Sequence, residues 1–214
     1  MANVLIMGES GGGKTTSMRN LNPATTFYID ADGKGLSWKG WRQQYNREAK
    51  NYVRTDDPKK IEELLYKVNN EPELAYIKTV VIDTLNGIMV ADEVRRMSEK
   101  GYDKWVDLAQ CVWHLVELLN HLRQDLDVVV LAHSQTQKED DGYTFTRVKT
   151  SGKKLDKLCL ESKFTTVLYA TAKNGNYVFE TRANNSTAKS PMGAFKDAEI
   201  DNDIVPVLEA LKDY

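Results

Sequence analysis

The feature that most constrains this chain is a glycine-rich stretch near its N-terminus. It follows the apolar run 3–7 and fits the spacing G-x-x-x-x-G-K-[ST]. Its residues are Gly8, Glu9, Ser10, Gly11, Gly12, Gly13, Lys14, Thr15 and Thr16. Glycine lets a backbone wrap closely around phosphate oxygens and point its N–H groups at them. We therefore predict a strand followed by a phosphate-binding loop, because a glycine-rich turn without function does not require this spacing.

Each part of the loop has a predicted task toward ATP and Mg²⁺, the expected ligand and cofactor. Lys14 would reach the β- and γ-phosphates, and the Thr15 hydroxyl would hold Mg²⁺. A helix expected from Thr16 to Leu21 would offer its N-terminus to the anion.

Length and charge limit the classes of protein that remain. A chain of 214 residues fits one α/β domain over residues 1–214. Its formal net charge of −2 does not suggest a general polyanion binder. Any contact with nucleic acid must therefore come from a local basic patch.

Cysteines and apolar runs indicate the compartment. Cys111 and Cys159 both lie in apolar patterns, which predicts buried, reduced thiols. The N-terminus leads directly into a predicted strand, so we expect no signal peptide. The longest apolar run, 128–132, is too short to span a bilayer. We expect a cytoplasmic protein without a membrane partner.

Carboxylates stand at the ends of two predicted strands. The run 25–29 ends in Asp30 and Asp32, and the run 77–83 ends in Asp83. Ligands of α/β proteins bind at the carboxyl ends of strands, where Asp83 would hold Mg²⁺ opposite Thr15. For Asp30 and Asp32, a polar turn beside Gly33 remains an equal alternative.

A third polar strand end is His133, which follows the buried run 127–132. A polar residue at that position could contact the γ-phosphate and report hydrolysis. Simple termination of the strand explains the pattern equally well.

The segment from Tyr143 to Lys157 is basic and aromatic, with five basic residues against one acid. Single-stranded nucleic acid needs charge for phosphates and rings for bases. A solvated hairpin is the alternative. The candidate DNA-binding residues are Tyr143, Phe145, Arg147, Lys149, Lys153 and Lys154.

The periodicity predicts an α/β fold with a mostly parallel central sheet flanked by helices and a C-terminal β-hairpin. The hairpin is expected where Asn174 and Gly175 separate the β runs 165–172 and 177–181. Helices are expected over 35–50, 57–69, 86–100, 103–124 and 203–211.

These motifs together resemble the RecA-type recombinases over roughly residues 2–195. In the resemblance Asp32 falls on the position of the catalytic glutamate, although aspartate is one methylene shorter, and Asp30 is the second candidate. Asp83 followed by Thr84 is similar to the end of the RecA-type Walker B strand, where the acid is followed by Ser or Thr. Residues 131–133 resemble the strand that carries the γ-phosphate sensor. The short chain looks like the small RecA-core ATPases of bacteriophages, grouped as phage nucleotide-binding AAA-type proteins.

The resemblance implies an ATPase that acts on single-stranded DNA in homologous recombination and strand annealing. Lys14, Asp32, Asp83 and His133 would be its catalytic residues. The resemblance further implies a ring or filament of this chain, with a basic residue from the neighbour completing each site, and a single-stranded DNA-binding protein as another partner. Arg182 and Lys189 are the candidates for the residue acting in trans.

Two other classes of function stay open. A nucleotide-dependent assembly factor, such as a helicase loader or packaging ATPase, would use ATP to govern association. A P-loop nucleotide kinase would need a lid with several arginines, and Arg147 is the only arginine between His133 and Ala170.

Overall fold

The computed structural model describes residues 1–101, 103–138, 142–151 and 153–214, except for the side chains of Lys153, Lys154 and Asp156. The strands are β1 (Asn3–Gly8), β2 (Thr26–Asp30), β3 (Tyr52–Arg54), β4 (Thr79–Asp83), β5 (Asp127–Lys138), β6 (Thr144–Val148), β7 (Thr166–Lys173), β8 (Asn176–Glu180) and β9 (Glu199–Asp201).

Within these described ranges the nine strands form one mixed sheet in the order β3-β2-β4-β5-β1-β7-β8-β9, and β6 pairs with β5. The strands from β3 to β7 in this order are parallel to their neighbours. The pairs β7–β8, β8–β9 and β5–β6 are antiparallel. The predicted central, mostly parallel sheet flanked by helices is confirmed.

The helices are α1 (Trp41–Gln44), α2 (Pro58–Asn70), α3 (Leu85–Arg95), α4 (Asp103–Leu119), α5 (Lys153–Leu158) and α6 (Ile204–Ala210), with 3₁₀ turns at Thr15–Met18, Pro72–Leu74 and Leu160–Lys163. The start of α2 is the predicted one, because Pro58 is its first residue and the Asp57 carboxylate accepts the Lys59 N–H at 3.0 Å.

Both faces of the sheet are buried, which explains why its central strands are continuous apolar runs. Leu5, Val80 and Ile82 contribute to one core with α2, α3 and α4. Ile6 and Val81 point to the other face, where α6 and the segment around Tyr45 cover them.

Two expected helices are much shorter than predicted. The helix after the phosphate loop is only the 3₁₀ turn Thr15–Met18, so the expected α-helix N-terminus does not form at this position. The predicted helix over 35–50 is reduced to α1. Gly35 and Gly40 before it have φ of +83° and +85°, a conformation that a right-handed helix cannot contain.

Strand β5 extends beyond its predicted end at Ala132. Its first half lies in the parallel sheet, and from Ser134 to Lys138 it pairs with β6 as a two-stranded extension. Near the C-terminus β7 and β8 pair across Asn174 and Gly175, and β9 and α6 follow them.

The two cysteines differ from the expectation of buried thiols. Cys111 is half-buried and Cys159 is exposed, although both are free. Among the described helices, none has both the length and the apolar character that crossing a bilayer requires.

Candidate functional site

Sheet register brings the predicted polar strand ends to one edge. Gly8 pairs with His133, Asp83 pairs with Leu131, and Asp30 pairs with Asp83. The carboxyl ends of β1, β2 and β4 therefore lie beside His133, where β5 leaves the parallel sheet. This edge is where ligands of α/β proteins bind.

The phosphate loop fits its surroundings only with glycine at several positions. A Cβ on Gly8 would lie 2.5 Å from the Ala170 carbonyl oxygen, and one on Gly12 would lie 2.8 Å from the same atom. Gly13 has φ of +90°, and a Cβ there would lie 2.9 Å from the Tyr177 ring. The loop is thus packed against β7 and β8, which gives it a defined shape.

Lys14 folds back along this loop. Its Nζ donates to the carbonyl oxygens of Gly8 and Glu9, each at 2.8 Å, and the residue is 6% exposed. Burial lowers the pKa of Lys14 to about 8, although Asp83 opposes the shift. An ammonium group held at the inner side of a phosphate loop is placed to bind phosphate oxygens.

Thr15 and Asp83, the two residues predicted to hold Mg²⁺, contact each other directly. The Thr15 Oγ1 donates to Asp83 Oδ2 at 2.8 Å, and the buried Tyr28 hydroxyl donates to the same oxygen at 2.8 Å. Burial raises the pKa of Asp83, against the effect of these two hydrogen bonds. Asp83 Oδ1 is buried without a hydrogen-bond partner among the described residues.

This arrangement fits Mg²⁺. An unpaired carboxylate oxygen beside a hydroxyl offers hard oxygen ligands, and Mg²⁺ keeps several waters and takes phosphate oxygens as well. The described residues contain no group of three or more His, Cys, Asp or Glu that could hold a metal by themselves. Thr15 and Asp83 would therefore hold Mg²⁺ together with the nucleotide.

Asp32 lies beside this pair with both carboxylate oxygens bonded. Its Oδ1 accepts from Thr84 Oγ1 at 2.8 Å, and its Oδ2 accepts from Lys34 Nζ at 2.5 Å. Burial raises the pKa of Asp32, but the hydrogen bonds from Lys34 and Thr84 outweigh it, so the pKa lies below its usual value. Asp32 is ionised and can accept a proton.

Asp30 has a different environment. It is 1% exposed, and its two oxygens accept the N–H groups of Gly33 and Gly35, each at 2.8 Å. The Tyr52 hydroxyl adds a third hydrogen bond at 2.6 Å. Asp30 holds the turn after β2, so it is not placed to activate water.

His133 is at the predicted strand end and is held on both sides. Its backbone N–H donates to Asn86 Oδ1 at 2.6 Å, and its backbone carbonyl oxygen accepts from the backbone N–H of Lys149 at 2.7 Å. Burial and the charge of Lys14 lower the pKa of His133, outweighing the opposing charge of Asp32. The imidazole is therefore neutral near pH 7.

A cleft of about 370 Å³ lies beside these groups, and Asp32 and Asp83 contact its lining through Lys34 and Thr15. Its lining includes Lys14, Thr15, Lys34, His133 and Tyr177. Arg182 and Lys189 do not line it. The Arg182 side chain donates to the carbonyl oxygens of Phe195 and Lys196 at 3.0 and 3.1 Å. The backbone of Lys189 pairs with that of Val167, and its side chain is exposed.

The candidate DNA-binding residues lie on the extension formed by β5 and β6. Tyr143 and Phe145 are stacked with ring centroids 6.3 Å apart, and Lys149 is exposed. Arg147 alternates with the buried Thr146 and so shares the face of these rings. The side chains of Lys153 and Lys154 lie outside the described part of the chain.

Sequence reasoning missed Lys34, Tyr28 and Gly87. Lys34 stands between two glycines directly after the acids, and this pattern was a usable signal. Tyr28 is an ordinary strand residue by its pattern. Gly87 allows α3 to pass close to the Asp32 turn, because a Cβ on it would lie 2.5 Å from Asp32 Oδ1.

Comparison with known proteins gives the family. A search of curated proteins found no significant match. The family model described as AAA domain matches residues 1–192. Because this match spans most of the 214 residues, the chain belongs to the AAA domain family of nucleotide-binding ATPases.

Proposed function

We propose that this protein is a RecA-like ATPase, a single domain that binds ATP with Mg²⁺ and hydrolyses ATP. The observation that carries the proposal is the meeting of Lys14, Thr15, Asp83 and Asp32 at one sheet edge. They supply a phosphate ligand, a metal site and a carboxylate that can hold water. Such a set suits in-line transfer of a phosphoryl group to water.

The chain's residues divide the work of hydrolysis. Asp32 orients the attacking water and takes its proton. Lys14 offsets negative charge that develops on the phosphates, and Thr15 and Asp83 hold the metal. Mg²⁺, when bound, stabilises charge on the β- and γ-phosphate oxygens. His133, neutral and fixed through its backbone, contacts the γ-phosphate and reports its loss.

We further propose that the protein acts on single-stranded DNA in recombination or strand annealing and is encoded by a bacteriophage. The β5–β6 extension supports this role, because Tyr143 and Phe145 stack on it and the cations Arg147 and Lys149 follow at alternate positions of the chain. Bases stack on such rings while phosphates pair with the cations. The backbone bond between Lys149 and His133 connects this face with the ATP site.

The test is an ATPase assay with and without single-stranded DNA. We expect turnover that rises on addition of DNA and binding that weakens with salt. Turnover indifferent to DNA would favour the nucleotide-dependent assembly factor. Phosphate transfer to a nucleoside monophosphate would contradict the proposal in favour of a kinase.

We also propose that the protein assembles with itself in a ring or filament, with a single-stranded DNA-binding protein as a further partner. Lys189 is the better candidate for action in trans, because the Arg182 side chain would first have to break its hydrogen bonds to two carbonyl oxygens. Gel filtration with ATP and single-stranded DNA tests the assembly. A monomer under all conditions would contradict it.

A further inference from the structure

Lys34 is a second lysine in the phosphate cleft and is not part of the phosphate loop. It lines the cleft together with Lys14, Thr15 and His133. Its side chain is 53% exposed, whereas Lys14 is almost fully buried. Lys34 can therefore move, while Lys14 is confined to the inner side of the loop.

The turn that carries Lys34 is firmly held. Asp30 accepts the N–H groups of the residues on either side of it, Gly33 and Gly35. Gly35 packs so closely on Trp41 that a Cβ there would lie 2.7 Å from the ring. The backbone of Lys34 is thus fixed relative to β2, and only the side chain is free to select a partner.

The present partner of Lys34 is the carboxylate that we assign to water activation. Its Nζ lies 2.5 Å from Asp32 Oδ2, and Thr84 occupies Oδ1. Lys34 therefore takes up part of the acceptor capacity of Oδ2 and blocks one direction from which an attacking water could approach it. A terminal phosphate offers an ammonium group more negative charge than one carboxylate does.

We propose that Lys34 is a γ-phosphate ligand supplied by the same chain, and that its ion pair with Asp32 restrains hydrolysis until ATP draws Lys34 away. When the ammonium group moves to the γ-phosphate, Asp32 Oδ2 becomes available to the water. This inference rests on the proposed ATPase function. It also gives the site a cation that needs no neighbouring subunit.

The first test compares nucleotides that differ in the γ-phosphate. Wild type, Lys34→Ala and Lys34→Arg are titrated with ADP and with a non-hydrolysable ATP analogue, both with Mg²⁺. We expect Lys34→Ala to weaken binding of the analogue roughly tenfold or more and binding of ADP less than twofold. Lys34→Arg should retain most of the preference for the analogue. Lys39→Ala, an exposed lysine of the same segment, is the matched control and should bind as wild type does.

An equal loss for both nucleotides, or no loss, would overturn the assignment of Lys34. Thermal melting of each variant separates loss of binding from loss of folding. If wild type binds neither nucleotide, the proposed function fails. If wild type binds the analogue and Lys34→Ala binds it equally well, only this inference fails.

The second test addresses the restraint by a double-mutant cycle. Asp32→Asn removes the ion pair, so we expect tighter binding of the analogue by roughly two- to fivefold. In the Lys34→Ala background the same substitution should give a smaller gain, because only repulsion from the phosphate is relieved. Equal gains in both backgrounds would show that the ion pair does not compete with the nucleotide and would overturn the restraint.

Discussion

At the scale of single residues, two aspartates of one turn differ sharply in their partners. Asp30 is buried and accepts three hydrogen bonds that hold the turn after β2. Asp32 is half-buried beside the cleft, and among the described residues its carboxylate accepts only from Thr84 and Lys34. Since both stand at the same strand end, only their contacts identify the one that can serve as the general base.

Substitution of each aspartate should therefore affect a different measurement. Asp32→Asn should retain ATP binding and lower turnover by roughly a hundredfold or more, because the amide cannot take a proton. Asp30→Asn should instead lower the free energy of unfolding by about 1–3 kcal/mol, since at least one buried donor loses its acceptor. Steady-state kinetics and thermal melting measure the two effects. Normal turnover by Asp32→Asn would place the base elsewhere.

Lys14 gives a second prediction at this scale. Lys14→Ala should weaken ATP binding by roughly ten- to a hundredfold, because the phosphates lose a charge-assisted hydrogen bond. Isothermal titration with ATP and Mg²⁺ measures the change. Unchanged affinity in a folded variant would contradict the assignment of the phosphate loop.

At the scale of elements, the start of α3 connects helix stability with the cleft. Thr84 is the N-cap of α3: its Oγ1 accepts the Gly87 N–H at 3.1 Å and donates to Asp32. One hydroxyl can do both, since it has a donor and acceptor lone pairs. The helix cap therefore also orients the carboxylate.

Thr84→Val should remove both contacts while keeping the side-chain volume. We expect a loss of about 1 kcal/mol from the missing cap, which lowers the melting temperature by roughly 2–4 °C in a protein of this size. Turnover should fall as well, because Asp32 loses the donor at Oδ1. Thr84→Ser keeps the hydroxyl and is the control. A valine variant with wild-type kinetics would show that this contact does not orient Asp32.

The face of β6 that carries the stacked rings of Tyr143 and Phe145 gives a second prediction at this scale. Replacing both Tyr143 and Phe145 by alanine should weaken binding of single-stranded DNA by roughly tenfold or more, because stacking on rings contributes about 1–3 kcal/mol per base. Thr144→Ala lies on the opposite face of the same strand and should bind normally. Fluorescence anisotropy with a labelled oligonucleotide measures both. Equal binding by all three proteins would remove this face from the proposed DNA site.

At the scale of the whole molecule, the extension is joined to the body from two sides. Glu161 is 2% exposed, and its Oε1 accepts Val148 N at 2.8 Å and the Thr187 hydroxyl at 3.3 Å. Thr146 exchanges backbone hydrogen bonds with residues 185 and 187. The extension is therefore a fixed part of the fold. A displacement of His133 would consequently move β6 as well, through the hydrogen bond from Lys149 N.

Glu161→Ala should destabilise the whole protein, because Val148 N is left buried without an acceptor. We expect a loss of about 2–3 kcal/mol in the free energy of unfolding, measured by denaturant titration. Glu63→Ala, which removes an exposed carboxylate from α2, should change it by less than about 0.5 kcal/mol. Equal stability of the two variants would show that Glu161 does not join the extension to the body.

Much of the fold followed from local patterns. The apolar runs located the parallel strands, and Asp57 with Pro58 marked the start of α2, because these signals act within a few residues. The helices after the phosphate loop and after Gly35 were overestimated, since apolar periodicity does not reveal the left-handed conformation of Gly35 and Gly40. The length of β5 was missed because its second half depends on β6.

The sequence alone predicted the phosphate loop and the aspartates that end β2 and β4, since each is a contiguous pattern with its own geometry. It could not distinguish Asp30 from Asp32, and it could not connect Thr84 with Asp32 or Tyr28 with Asp83. Those contacts depend on the sheet order, which places β4 beside β2 and β5 beside β1. Strand order arises from packing across the whole core, so only the tertiary structure decided which side chains share the cleft.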